Sequence, residues 1–324
     1  VGTLRVFLWS IVVGLSGLGS AAEVQPTEGY LPQFTRTVAR ARSERVPLRL
    51  DYPQGLGLKE WPVTFGVPFP RGALASVGNV RIVDGAGAAV PAQVLRTATW
   101  DGPDGDVKWV LLDRAARRDA NYAVEYGTAV SRPPIASSLN VVESGDEVSV
   151  TTGPLRVTFS RRESHLMRGV WLDGNGDGRF VDTEQRLQAR RRMDAIDQDG
   201  RRYPTSDRPD DYTLEIETAG PLRVVVKASG WYRDDAGTGL LEYVTRVHLY
   251  AGQRFVRVIH TFVVNVDTDK TQLKDVGVPF DAPAGTGEGA VFQVETGFGA
   301  ATKHAPLPAR LVQDSTDHFS LADG

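Results

Sequence analysis

Residues 255 to 264, Phe-Val-Arg-Val-Ile-His-Thr-Phe-Val-Val, place Val256, Val258, His260, Phe262 and Val264 on one side of an extended chain. Arg257 and Thr261 fall on the other. A period of two is what a half-buried strand needs and what a helix cannot use. Tyr243 to Tyr250 has the same character, and Ala251-Gly-Gln253 joins the two as an antiparallel pair. Similar segments recur along the chain. Val46–Leu50, Trp61–Val67, Val80–Val83, Ala89–Val94, Thr97–Trp100, Val107–Leu112 and Tyr122–Tyr126 read as short strands, with turn signals at Asp84-Gly85 and Asp104-Gly105. Further strands are expected at 140–142, 147–151, 155–159, 167–172, 212–217 and 222–230. Apart from a short helix predicted near Thr35 to Arg42, no helix of convincing length is expected.

A chain of 324 residues is longer than one core usually serves. The Pro- and Ser-containing stretch 127–138 divides it. The expected fold class is all-β, with a small N-terminal antiparallel barrel or sandwich over 45–130 and a larger antiparallel β-sandwich over 139–324. Residues 23–44 read as a linker or arm. The last strand-like stretch, His318-Phe-Ser-Leu321, ends three residues before the sequence stops, so the reading expects a chain cut short of a longer protein.

Residues 1–22 read as a signal peptide: a basic start at Arg5, an apolar run from Val6 to Leu18 and small residues at Gly19-Ser-Ala-Ala22. The run is too short to span a bilayer, although a retained anchor is the rival reading. The expected location is secreted or periplasmic, with no membrane contact beyond this segment. The 37 basic and 40 acidic residues are well mixed, so no basic field exists for nucleic acid. The absence of cysteine excludes disulfides, thiolate metal sites and cysteine nucleophiles. No G-x-S-x-G elbow, H-E-x-x-H, Walker A loop or dinucleotide fingerprint occurs.

The sharpest local motif is Asp173-Gly-Asn-Gly-Asp-Gly-Arg-Phe-Val-Asp-Thr-Glu184. It offers Asp173, Asn175 and Asp177 at loop positions 1, 3 and 5, a glycine at 6, and Asp182 and Glu184 at 10 and 12. Oxygen ligands in that order suit Ca²⁺. Val170-Trp-Leu172 reads as a strand, which excludes the paired-helix switch. Three readings compete: a structural calcium loop, a plain Asp/Gly-rich hairpin without metal, and a catalytic calcium.

His260, on an apolar strand face, reads as a core histidine, and His248 as similar. His165 and His304 are placed in loops. His318, among polar residues, is the most site-like of the five. The runs Arg161-Arg162, Arg190-Arg-Arg192 and Arg201-Arg202 have the chemistry to hold uronate carboxylates, yet read first as a solvated face. Trp61, Trp100 and Trp109 sit in alternating strands, where core packing is expected before sugar stacking.

Trp61-Pro-Val-Thr-Phe-Gly-Val-Pro-Phe-Pro-Arg-Gly-Ala-Leu74 resembles the opening of the exo-rhamnogalacturonan lyase (RGLX/YetA-like) family. Val80–Asp84, Val90-Pro-Ala-Gln-Val94 and Thr99–Asp113 fit the same pattern, except that Asp101-Gly102 is extra in a hairpin that is tighter in the family and Asp106 replaces a small polar residue. Gly220-Pro-Leu-Arg-Val-Val-Val226, Val247–Phe262 and Leu311–Ser315 are also similar to it. The resemblance implies a RIFT-type barrel, a central β-sandwich and, in the longer protein, a C-terminal helical toroid that holds the substrate groove. It implies β-elimination on rhamnogalacturonan or a related acidic polysaccharide, with a base for the proton α to the carboxylate and a cation or strong hydrogen-bond donors for the enolate. Arg310 and His318 are the candidate catalytic residues of this portion. Two other readings stay open: a non-catalytic glycan-binding or scaffolding module, and accessory domains of a glycoside hydrolase.

Overall fold

The computed structural model describes residues 5–8, 12–15, 37–50, 60–279, 290–296, 299–305, 309–313 and 319–323. The chain divides into two compact units, Val1–Asp51 with Leu58–Asp281, and Tyr52–Gly57 with Ala282–Gly324. Strands and turns make up the fold, and its only helical pieces among the described residues are single 3-10 turns at Val77–Asn79 and Asp182–Glu184. The short helix expected near Thr35 to Arg42 does not form over the described residues 37–42. That segment is irregular and bonds outward, Val38 N–H to Arg71 O and the amides of Thr128 and Ala129 to the carbonyls of Ala41 and Arg42.

In the first unit, β1 (Arg5–Leu8) and β2 (Val12–Leu15) precede the barrel domain. That domain holds β3 (Glu44–Leu48), β4 (Glu60–Pro68), β5 (Val80–Asp84), β6 (Ala89–Val90), β7 (Gln93–Thr99), β8 (Val107–Arg117) and β9 (Tyr122–Tyr126). They form two sheets, β3-β9-β5-β6 and β4-β8-β7. Val80, Ile82, Val110, Leu112, Ala116 and Val124 are buried between them. Pro91 lacks the N–H a ladder needs, so the return strand expected at Ala89–Val94 splits into β6 and β7. The two extra residues of the β7–β8 hairpin, Asp101 and Gly102, are the ones with positive φ, 58° and 102°.

The sandwich follows with β10 (Asn140–Ser144), β11 (Glu147–Thr151), β12 (Leu155–Ser160), β13 (Gly169–Leu172) and β14 (Gln185–Gln188) in one antiparallel sheet. β15 (Asp194–Asp197) and β16 (Arg202–Pro204) join β21 (Leu273–Gly277) in a small sheet. The second large sheet runs β17 (Tyr212–Ala219), β18 (Arg223–Arg233), β19 (Gly239–Tyr250) and β20 (Phe255–Val264), all antiparallel. Val148, Val157, Phe159 and Leu172 from the first large sheet and Val226, Tyr243, Leu249 and Val258 from the second share one buried cluster. β14 to β16 escape sequence reading because they are short and charged, Gln-Arg-Leu-Gln in one case, and carry no alternation.

Within the segment expected to act as an export signal, the described strands β1 and β2 pair parallel with β20, Arg5 opposite Phe255 and Val12 opposite Thr261. The second unit contains two hairpins, β22 (Ala290–Thr296) with β23 (Gly299–Ala305) and β24 (Ala309–Gln313) with β25 (Phe319–Asp323). His304, read as a loop residue, belongs to β23; the small and polar residues around it carry no strand alternation.

Candidate functional site

A buried polar cluster lies where the barrel packs on the outer face of the β18–β20 sheet. Residues that alternate away from the sandwich core on β18, β19 and β20 include Arg223, His248 and Phe255. The barrel meets them with Trp61 of β4, Gln93 of β7 and Asp113 of β8. Trp61 stacks on Phe255 with ring centres 4.9 Å apart and planes 10° from parallel. Gln93 Oε1 accepts from the amides of Leu222 and Arg223, both at 2.9 Å. Its Nε2 donates to Asp113 Oδ2 at 3.3 Å and to Arg223 O at 3.4 Å. Arg223 Nε donates to Asp113 Oδ1 at 2.7 Å, and Thr64 Oγ1 donates to the same oxygen at 2.5 Å. The Arg223 and Asp113 side chains are only 6% and 3% exposed, so each charge depends on the other. Gly220 makes the approach possible: a Cβ there would fall 2.3 Å from the Gln93 amide group.

His248 completes this cluster. Arg223 Nη1 lies 3.2 Å from its Nδ1, and because a guanidinium only donates, the imidazole accepts there and carries its proton on Nε2. Burial first, and the cations of Arg223 and Arg257 with it, push this imidazole down to about 3. It is therefore neutral at pH 7 with its lone pair engaged. That makes it part of a structural clamp and a poor general base.

His260 lies on the core face, as its alternation implies. Its Nε2 is 2.9 Å from Tyr232 Oη and its Nδ1 is 2.7 Å from Thr245 Oγ1. Burial lowers it to about 4 and also pushes the Tyr232 phenol upward. Both ring nitrogens have partners, which is the condition for a histidine to be kept in a core. Of the two candidate catalytic residues, Arg310 falls in β24, and His318 lies outside the described residues.

The Asp173–Glu184 loop joins β13 to β14 and is closed by its own amides. Asp173 Oδ1 accepts from Gly176 N–H at 2.6 Å and Oδ2 from Gly178 N–H at 2.9 Å. The Gly178 amide above all, with those of Gly176 and Asp177, holds the Asp173 carboxyl below its ordinary range against the effect of burial. Glu184, also buried, accepts from Gly174 N–H at 3.1 Å and Val181 N–H at 3.4 Å. Asn175 and Asp177 cap amides two residues on, and Asp182, itself exposed, opens the 3-10 turn that Glu184 closes. Among the described residues, no three carboxylate or imidazole side chains converge as a metal site. The donor set has the oxygen chemistry of a calcium loop, and an ion here would draw on Asn175 and main-chain carbonyls beside Asp173 and Glu184.

The tryptophans divide. Trp61 belongs to the barrel–sandwich contact. Trp100 is half-buried, its Nε1 donating to Phe69 O, with Arg71 and Lys108 against its ring. Trp109 does not pack in a core: it is 41% exposed on the outer face of β8, with its indole lying across Gly66. The arginine runs are interleaved with carboxylates, Arg161 with Glu143, Arg162 with Asp146, Arg192 with Asp207 and Arg202 with Asp194.

Two family descriptions match this architecture, the PcRGLX-like N-terminal RIFT barrel domain over residues 57–128 and the PcRGLX-like protein central beta sandwich domain over 139–289. The chain belongs to the PcRGLX-like family. A curated relative is the uncharacterized protein YetA of Bacillus subtilis (strain 168), 24% identical over 225 residues. That match takes in 68% of this chain and 25% of the relative, so the chain spans about a quarter of that protein's length. Gln93, Asp113, Arg223 and His248 all lie inside the segments whose resemblance to the PcRGLX-like family was visible in sequence, and in the fold they meet at one place. Sequence reasoning passed over the first three. The available signal was a polar residue inside or at the end of an apolar strand, as in Leu111-Leu-Asp113 and Pro221-Leu-Arg-Val-Val-Val226.

Proposed function

We propose that the chain is the secreted, non-catalytic β portion of a polysaccharide lyase that works by β-elimination on rhamnogalacturonan or a related acidic polysaccharide. The observation that carries this reading is the pair of PcRGLX-like domains joined in the order barrel then sandwich. The two buried histidines support it: both are neutral at pH 7 and engaged in the frame, so neither is free to take the α-proton. In this reading the base and the cation that stabilises the enolate belong chiefly to a helical part of the longer protein. Arg310 and His318 are the residues of this portion nearest in role to that chemistry. Calcium at Asp173–Glu184 has a structural part only, since a loop closed through its own amides leaves no position for substrate.

The test compares the full-length gene product with the 324-residue chain on rhamnogalacturonan, following the absorbance of unsaturated uronate. Absorbance from the full-length protein and none from the chain is expected. A full-length protein that gives only saturated products, or none from any acidic glycan, overturns the reading.

A further inference from the structure

Beside β16 and the β18–β19 hairpin, the sandwich carries a cavity of about 380 Å³ whose wall includes Arg192, Asp207, Arg208, Arg233, Asp234 and Asp235. That volume is of ligand size. Most of these charges are spent within the protein. Arg233 grips Asp211 with two parallel bonds, 2.7 and 2.8 Å, and gives its third group to Gly237 O at 3.0 Å. Asp234 accepts from Thr238 N–H and pairs with Arg201. Asp207 accepts from Ser164 through Oδ1 and from Arg192 Nη1 through Oδ2.

What remains is specific. The Arg208 guanidinium has no hydrogen-bond acceptor among the described residues, and the Asp235 carboxylate has no donor. Arg192 uses only Nη1, toward Thr205 O and Asp207. Arg208 is nevertheless placed rather than loose, because it lies along the hairpin at Gly237. A Cβ at Gly237 would come within 2.7 Å of its Nη1, and the φ of 88° there already favours glycine. The cavity thus offers unbonded N–H donors from Arg192 and Arg208 and the unbonded carboxylate of Asp235, beside the ion pairs Arg233–Asp211, Arg201–Asp234 and Arg192–Asp207.

A ligand that satisfies this wall must carry an anion for the guanidinium and hydroxyl donors for the carboxylate. A uronate sugar has both. A neutral sugar leaves Arg208 unanswered. A phosphate or sulfate group brings two charges or a tetrahedron against Asp207 and Asp235. An apolar ligand finds Pro204 as its one apolar wall residue. We propose that this cavity is a subsite for a uronate residue of an acidic glycan, with Arg208 holding the carboxylate and Asp235 accepting a ring hydroxyl. The proposal rests on the function given above and adds a place and a chemistry to it.

The test is calorimetric titration of the 324-residue chain with an oligosaccharide of alternating rhamnose and galacturonate, and with the same oligosaccharide after its carboxyls are reduced to alcohols. Arg208 and Asp235 are exposed, so substitution leaves the fold intact, which a thermal melt of each variant verifies. The parent is expected to bind the acidic form, and the reduced form at least tenfold more weakly. Arg208→Ala is expected to lose tenfold or more on the acidic form and nothing on the reduced one, with Arg208→Lys between. Asp235→Asn is expected to lose severalfold on both. Acidic-form binding unchanged in Arg208→Ala overturns the subsite. If that binding falls instead in Trp109→Ala, the glycan sits on the barrel, and the functional reading stands without this subsite. No binding of the acidic form by the parent overturns the subsite and leaves the functional reading to the absorbance assay of the full-length protein.

Discussion

Replacing Asp113 with alanine tests how the two β cores are held together. In the parent, Arg223 is enclosed between Asp113 and His248, its side chain 6% exposed. Removing the carboxylate leaves a buried guanidinium without a counter-charge, and leaves Thr64 Oγ1 and Gln93 Nε2 each short of an acceptor. Breaking one side of a buried pair costs about 3–5 kcal/mol, most of it the stranded charge. The pair Arg246–Glu217 on the same sheet is the contrast, with side chains 35% and 33% exposed and bidentate geometry. Solvent screens it, so Glu217→Ala is expected to cost about 1 kcal/mol or less. Urea unfolding followed by tryptophan fluorescence and far-ultraviolet circular dichroism measures both. The double variant Asp113→Leu with Arg223→Met removes the stranded charge and should recover most of the loss. If Asp113→Ala costs no more than Glu217→Ala, the buried pair does not hold the domains and the reasoning fails.

Three further outcomes are expected. Gly220→Ala should destabilise the chain by roughly 1–3 kcal/mol, because the new methyl displaces a Gln93 amide fixed by four hydrogen bonds; a melting point equal to the parent's would contradict the packing described. His248 and His260 titrate lower in the fold than in the unfolded chain, so as pH falls below 6.5 the unfolded chain takes up protons first and stability drops toward pH 4. Each contributes a loss on the order of 2 kcal/mol by about pH 5, above the range where the depressed carboxyls of Asp211 and Glu217 begin to add theirs, and denaturation midpoints at pH 7 and 5 that coincide would refute it. Calcium in hundredfold excess over its dissociation constant should stabilise the chain by about 2.7 kcal/mol, reversed by chelator and abolished in Asp173→Ala; a melting midpoint indifferent to chelator removes the ion from the loop.

The strand pattern was legible wherever one face of a strand is buried and the other wet, as in β19 and β20, because side-chain alternation then records the burial directly. It failed for β14 to β16, where short charged strands close the end of the sandwich through backbone bonds that leave no mark on residue type. His260 was readable as a core residue for the same reason that β20 was. Trp109 was misread because the alternation that places it says which residues share a face, and not which face the barrel turns outward. The junction was hidden more deeply. Gln93 and Arg223 are 130 residues apart, and only the packing of one domain on the other makes them partners. The cavity at Arg208 has the same character, since its distinguishing feature is which arginine lacks a hydrogen-bond acceptor among the described residues, and the run of arginines and aspartates from 186 to 211 does not say.

Native-state hydrogen exchange at the amides of Leu222 and Arg223 tests the joined frame most directly, because both donate across the domain boundary to Gln93 Oε1. If barrel and sandwich unfold as one body, these amides exchange only as slowly as those of Val224 and Val226 inside the sandwich, and share their urea dependence. Exchange orders of magnitude faster at 222 and 223, with the core amides still protected, would mean that the barrel lifts off while the sandwich stays folded.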